Sequence, residues 1–190
     1  IGLLFAFVWT LVARPFGSEL AAKRLTRFSW HDIVGMTEPA NLAESRKLGV
    51  QMLDRLMQHL PRLAITGQDT GIALREVRVG LNLLDILAYA PRVLGVPNVL
   101  LRQVVAEVGE YFKACLKAGE RLPAPASLQM TMDRARRALN GQGLQGDDDT
   151  RLNLLHALSG LRLALLPGVE FLGAGEQEEP LPHGIDGAPL

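Results

Sequence analysis

The run from Ile1 to Ala13, IGLLFAFVWTLVA, contains no charged residue, and Arg14, Lys23, Arg24 and Arg27 follow it. A helix needs a polar stripe if one of its faces is to meet water. No polar side chain occurs between Ile1 and Trp9, so the segment calls for lipid or for a wholly buried position. A secretory signal has the reverse order, with basic residues before the apolar run and a small-residue cleavage site after it. The run is also shorter than the ~20 residues that cross a bilayer. The expectation is therefore a chain that begins partway through a longer transmembrane helix. Trp9 would lie at the interface, and Arg14, Lys23, Arg24 and Arg27 would hold the exit on the cytoplasmic side. A core or amphipathic helix of a soluble protein is the competing reading, and the absent polar face argues against it.

The remaining sequence is of a different kind. Over all 190 residues the hydrophobic fraction is 48% and the charged fraction 21%, too polar for a chain wholly embedded in lipid. The length suits one domain with a core. Aromatic residues are scarce at 5%. Leu, Ala, Arg and Val predominate, and unbranched side chains lose little rotamer freedom in a helix. A formal net charge of zero gives no support to nucleic-acid binding. The single cysteine, Cys115, excludes an internal disulfide and fits a reducing compartment. Its helical context reads as a small buried thiol.

The pattern predicts successive amphipathic helices. Ser18 is placed to cap a first helix reaching Ile33, with a break over Gly35 to Pro39. A second helix is expected from Ala40 to about Leu60, with Leu42, Met52, Leu53, Leu56 and Leu60 on one stripe and Pro61 at its end. Gly67 to Gly71 reads as a loop. A third helix from about Ile72 to Ala90 carries Leu74, Val77, Leu81, Leu84 and Ala88. Pro91, Gly95 and Pro97 form the next connection. A fourth helix should start near Pro97 or Asn98, run to Lys117 and close at Gly119. Beyond the proline-rich stretch Leu122 to Ala126 come a basic helix from Ser127 to Leu139 and a last helix from Thr150 to Leu166. Between these, Gly141 to Gly146 reads as a flexible loop, and Asp147 to Asp149 suit a helix N-terminus. Residues 173–190, rich in Gly, Pro and Glu, have little to bury and are expected to be disordered. The fold class is thus all-α: residues 1–14 end a transmembrane helix, and residues 15–172 form an antiparallel bundle of four to six helices.

Catalytic and cofactor signals are weak. The chain has no Walker-type loop, Cys-x-x-Cys or His-Glu-x-x-His. Its four histidines, His31, His59, His156 and His183, fall on separate segments, whereas a metal site needs converging ligands. Ser159-Gly160 lies within helical periodicity and makes no nucleophile elbow. The sequence therefore predicts no enzyme and no cofactor. The polar pairs say more. Asp54 and Arg55 flank the stripe of the second helix, while Arg75, Arg78, Asn82 and Asp85 occupy one side of the third. A short loop favours antiparallel packing, which lets Asp54 face Arg78 or Arg55 face Asp85. These six residues are expected to form a polar seam that sets the register of the hairpin. An anion-binding or gating cluster is the functional alternative. Arg134, Arg136 and Arg137 read either as a solvated helix face or as a contact for anionic lipid headgroups.

Three stretches carry a family resemblance: WTLVARPFGSELAAKRL at the membrane exit, QMLDRLMQHLPRLA on the second helix and ALREVRVGLNLLDI on the third. In sequence and order they resemble the C-terminal region of the fusaric acid resistance family, the aromatic acid exporters, over roughly residues 1 to 120. The resemblance implies a bacterial inner-membrane efflux subunit for aromatic carboxylic acids or similar organic anions, driven by the proton gradient. It also implies a periplasmic membrane-fusion adaptor and an outer-membrane channel as partners of the whole pump. This region would be mostly cytoplasmic, attached to the remainder of the transporter, and would serve assembly, homo-oligomer contacts or regulation. Nothing in Gly35 to Pro39 or Gln142 to Asp149 matches a family motif. The alternative from another class is a membrane-tethered helical interaction module unrelated to transport.

Overall fold

A computed structural model describes residues 23–38, 42–65, 70–141 and 148–166. Six α-helices occupy them: α1 (23–37), α2 (Leu42–Ile65), α3 (Thr70–Tyr89), α4 (Val96–Ala118), α5 (Ala126–Asn140) and α6 (Asp148–Leu165). A 3-10 turn, Ala90–Arg92, joins α3 to α4. No strand occurs among the described residues, and the all-α expectation holds.

Neighbouring helices run antiparallel. Asp32 and Gly35 of α1 meet Arg55 and Leu48 of α2, and Gly49 and Met52 of α2 meet Leu84 and Gly80 of α3. Helix α3 packs on α6 as well as on α2, and α5 packs on both α4 and α6. Trp30 of α1 against Phe112 of α4 closes the ring. Each helix turns one apolar stripe inward. Ile33 and Met36, Leu83 and Ile86, Leu101 and Phe112, Leu128 and Leu139, and Leu154 and Leu161 share one continuous core. Removal of this surface from water is the main favourable term for such a bundle.

Local signals explain the ends of α4. Gly95 has φ 74° and Pro97 lies in the first turn, where a missing N–H costs no helical hydrogen bond. At the other end Gly119, φ 77°, adopts the left-handed conformation that suits glycine, and its N–H donates to Cys115 O at 2.9 Å. Asn98 Nδ2 donates to Ala90 O at 2.6 Å and Val93 O at 2.8 Å, holding the 3-10 turn against the helix start. Asp148 and Asp149 begin α6, where the helix dipole favours negative charge.

Helix α1 ends at residue 37, inside the break expected over Gly35 to Pro39, whereas the helix expected to end at Pro61 does not end there. Helix α1 passes through Gly35 before it ends, and a Cβ built at position 35 would lie 3.0 Å from Leu48 Cδ1. Glycine costs that helix ~1 kcal/mol in propensity but permits the close approach of α2. Helix α2 continues past Pro61 to Ile65. A proline interior to a helix removes one hydrogen bond and strains one turn; the amides beyond it can still find their carbonyls. The predicted tail 173–190, the run 1–14 and the loop 142–147 lie outside the described residues.

Glycines also act as notches between helices. Gly49 receives Leu84, Gly80 receives Met52, and Gly109 of α4 receives Thr37 at the end of α1. Thr37 is a stiff, β-branched residue whose Oγ1 donates to Val34 O at 2.8 Å, so it has little room to retreat. Gly109→Val is accordingly expected to lower stability by ~1–3 kcal/mol through overpacking, read as a fall in the urea midpoint with unchanged slope. An unaltered midpoint would show that α1 can slide away from α4.

Candidate functional site

Among the described residues, three arginine–carboxylate pairs join separate segments across the interior. The most buried is centred on Glu76 of α3, which has no solvent exposure. Arg121, from the connection between α4 and α5, forms an ion pair with it, and Arg121 Nη2 donates to Ala164 O of α6 at 3.0 Å. One guanidinium thereby links α3, the end of α6 and the α4–α5 connection. Burial raises the Glu76 carboxyl above its ordinary range, and the charge of Arg121 opposes that rise. The indole of Trp30 also favours the charged carboxylate, although its Nε1 falls short of hydrogen-bond geometry. Nearby, Tyr111 donates its hydroxyl to Leu122 O at 2.7 Å. Burial pushes that phenol up to about 12. Leu122 N donates to Cys115 Sγ at 3.4 Å, so the thiol is a buried structural group, as its sequence context suggests.

The other two pairs are Arg55 with Asp32, between α2 and α1, and Arg162 with Asp133, between α6 and α5. Arg55 also lies over the ring of Phe28, 5.7 Å from its centroid. Burial raises Asp32, with Arg55 acting in opposition. Thr131 of α5 donates to Glu107 Oε1 of α4 at 2.9 Å.

The six residues assigned to a hairpin seam are dispersed. Arg55 turns to Asp32 of α1 and not to Asp85. Asp54 and Arg78 are exposed. Asn82 Nδ2 donates within its own helix to Arg78 O at 2.7 Å and packs against Gly160 of α6. Asp85 lies on the outer side of α3, where partial burial raises its carboxyl. Arg75 is half-buried and acts weakly on Glu76. Among the described residues no ion pair links α2 to α3; the glycine notches make that contact. Of the membrane-exit residues, Lys23, Arg24 and Arg27 are exposed on the first turns of α1, while Trp9 and Arg14 lie outside the described residues. Arg134 and Arg137 are exposed on α5 and Arg136 is half-buried. No cluster of potential metal ligands occurs among the described residues.

Sequence reasoning missed both the Glu76–Arg121 pair and a cleft of about 440 Å³. The cleft lies between the end of α1, the start of α2, the α3–α4 connection and the first half of α4. Met36, Leu42, Ile86, Leu101 and Val105 supply apolar walls, with Thr37, Glu38, Ser45 and Arg102 as polar members. Its volume lies within the range of small-molecule sites. No motif announces it, because the walls come from four separate segments whose inward residues look like ordinary core.

The model of the fusaric acid resistance protein family matches residues 1–172. The chain belongs to this family. The match takes in the apolar run, its basic exit and all six helices, so the family relationship covers the whole bundle. Membership makes the chain transporter-related and associates it with membranes. Among the described residues no helix is long and apolar enough to cross a membrane. Neither the curated proteins nor the solved structures yield a significant match.

Proposed function

We propose that this bundle is the cytoplasmic part of an inner-membrane efflux transporter for aromatic carboxylic acids or similar organic anions, serving assembly or regulation. The observation that carries the reading is one family match spanning three features in order. An uncharged run comes first, then exposed Lys23, Arg24 and Arg27 on the first turns of α1, then the closed ring of helices. Basic residues flanking an apolar span are retained on the cytoplasmic side. The same cations, with Arg134 and Arg137, suit anionic headgroups, each adding ~1 kcal/mol of attraction near a membrane surface. Proton-driven transport, a periplasmic adaptor, an outer-membrane channel and homo-oligomer contacts belong to this proposal for the whole pump.

Two measurements on the whole transporter test it. In a transporter freed of native thiols, Cys115→Ala among the changes, a Glu44→Cys variant places a thiol at an exposed position of α2. A membrane-impermeant maleimide should label it only after the inner membrane is opened; labelling from the periplasmic side would reverse the orientation. Cells lacking the gene should accumulate a radiolabelled aromatic acid, and the gene should restore export that a protonophore abolishes. Export that persists without the proton gradient would remove the proposed energy source.

A further inference from the structure

The cleft lies at the far end of α1 from Lys23, Arg24 and Arg27. Its lining includes Met36 and Thr37, and the fifteen residues of α1 separate the two ends by roughly 20 Å. A ligand held there is therefore not a lipid headgroup gripped by the basic first turns. The lining chemistry narrows what it is. Both hydroxyls have committed their protons: Thr37 Oγ1 donates to Val34 O at 2.8 Å and Ser45 Oγ to Met36 O at 3.4 Å. Glu38 has Lys113 Nζ at 3.9 Å as a counter-charge. Arg102 has no ion pair or side-chain hydrogen bond among the described residues. The uncommitted side-chain donors on the lining are thus those of one guanidinium, whose planar fork matches a carboxylate. The remaining walls are mostly aliphatic.

We propose that this cleft binds a small organic acid with one carboxylate and an aromatic or branched apolar body. The carboxylate pairs with Arg102, and the body lies against Met36, Ile86, Leu101 and Val105. The site is built from helices none of which is long and apolar enough to cross a membrane, and its role in this proposal is to sense the acid. The ligand chemistry overlaps that of the export reading, but the inference rests on the cleft alone. Binding is measured on the chain and export on the whole transporter, so each can fail without the other.

The test is equilibrium dialysis of the full chain in detergent at low salt, with empty micelles as blank. Benzoate is compared with two probes of nearly the same shape, neutral benzamide and cationic benzamidine. Benzoate should bind saturably and at least about tenfold more tightly than benzamide, with benzamidine the weakest. Arg102→Gln, at an exposed position, should erase the advantage of benzoate while leaving benzamide unchanged. Ala106→Trp, at an exposed position on the lining, should block all three probes with the helical spectrum intact. The proposal is overturned by non-saturable benzoate binding, by equal affinity for benzamide, or by a preference for benzamidine, which would give the site to Glu38. Benzoate binding that ignores either substitution overturns it as well.

Discussion

Arg121→Ala is expected to lower the stability of the bundle by ~3–5 kcal/mol, the cost of leaving a buried charge without its partner. Glu76 cannot move to water, being fully buried on α3, and its second oxygen, Oε2, already lacks a hydrogen bond. The substitution also frees Ala164 O at the end of α6. The loss should depend on pH with a definite sign. Burial already raises the folded-state pKa of Glu76 above its ordinary 4.5, against the pull of Arg121. A carboxyl raised in this way contributes stability that is fully present below the unfolded pKa and lost as pH rises through the folded one. Removing Arg121 raises that pKa further. The deficit of the variant relative to the parent should therefore be smallest near pH 4.5 or below and grow towards neutrality. Urea midpoints across that range measure it. The double variant Glu76→Leu with Arg121→Met should recover most of the loss, because apolar replacement of both partners is often neutral or stabilising. A double variant as unstable as Arg121→Ala would mean that the pair does more than satisfy itself.

Phe112→Ala is expected to cost ~3–5 kcal/mol by lost burial and by the cavity left behind. Phe112 has no solvent exposure; it packs edge-on to Tyr111, with ring centroids 4.9 Å apart, and lies 6.5 Å from Trp30. Its ring is the main aromatic contact between α1 and α4, so the cavity would open where the ring of helices closes. Phe112→Leu retains most of the volume and should cost under about 1.5 kcal/mol. Against a total stability of ~5–15 kcal/mol for a domain, the alanine variant should melt well below the parent and the leucine variant close to it. Equal losses for the two would place the cost in aromatic contacts and not in volume.

The helices were legible because their cause is local. The helical period of Leu74, Val77, Leu81 and Leu84 announced α3, although the structure exposes Leu74 and Leu81 and buries Val79, Leu83 and Ile86 instead; Pro97 and Gly119 bound α4 through backbone conformations they favour by themselves. Pro61 misled for a related reason. It weakens a helix locally, and the penalty is small beside what a neighbouring helix contributes by packing. The charged residues on α2 and α3 were visible, but their partners were not. Arg55 was expected to face Asp85 of α3, and its pairing with Asp32 depends on how α1 packs against α2.

The sequence by itself determined the all-helical class, the order and approximate span of the elements, the uncharged run with its basic exit, and enough motif to place the chain beside its family. The helical class, the elements and the basic exit follow from spacing along one strand of chain; the family rests on the resemblance of three stretches. Tertiary structure alone decided that Arg121 reaches back 45 positions to Glu76 and that glycines set the notches between helices. It also decided that four distant segments enclose the cleft at Arg102. The physical reason is that burial is a property of assembled surfaces: a carboxylate such as Glu76 is ordinary on an isolated helix, and becomes costly and specific only when six helices close over it.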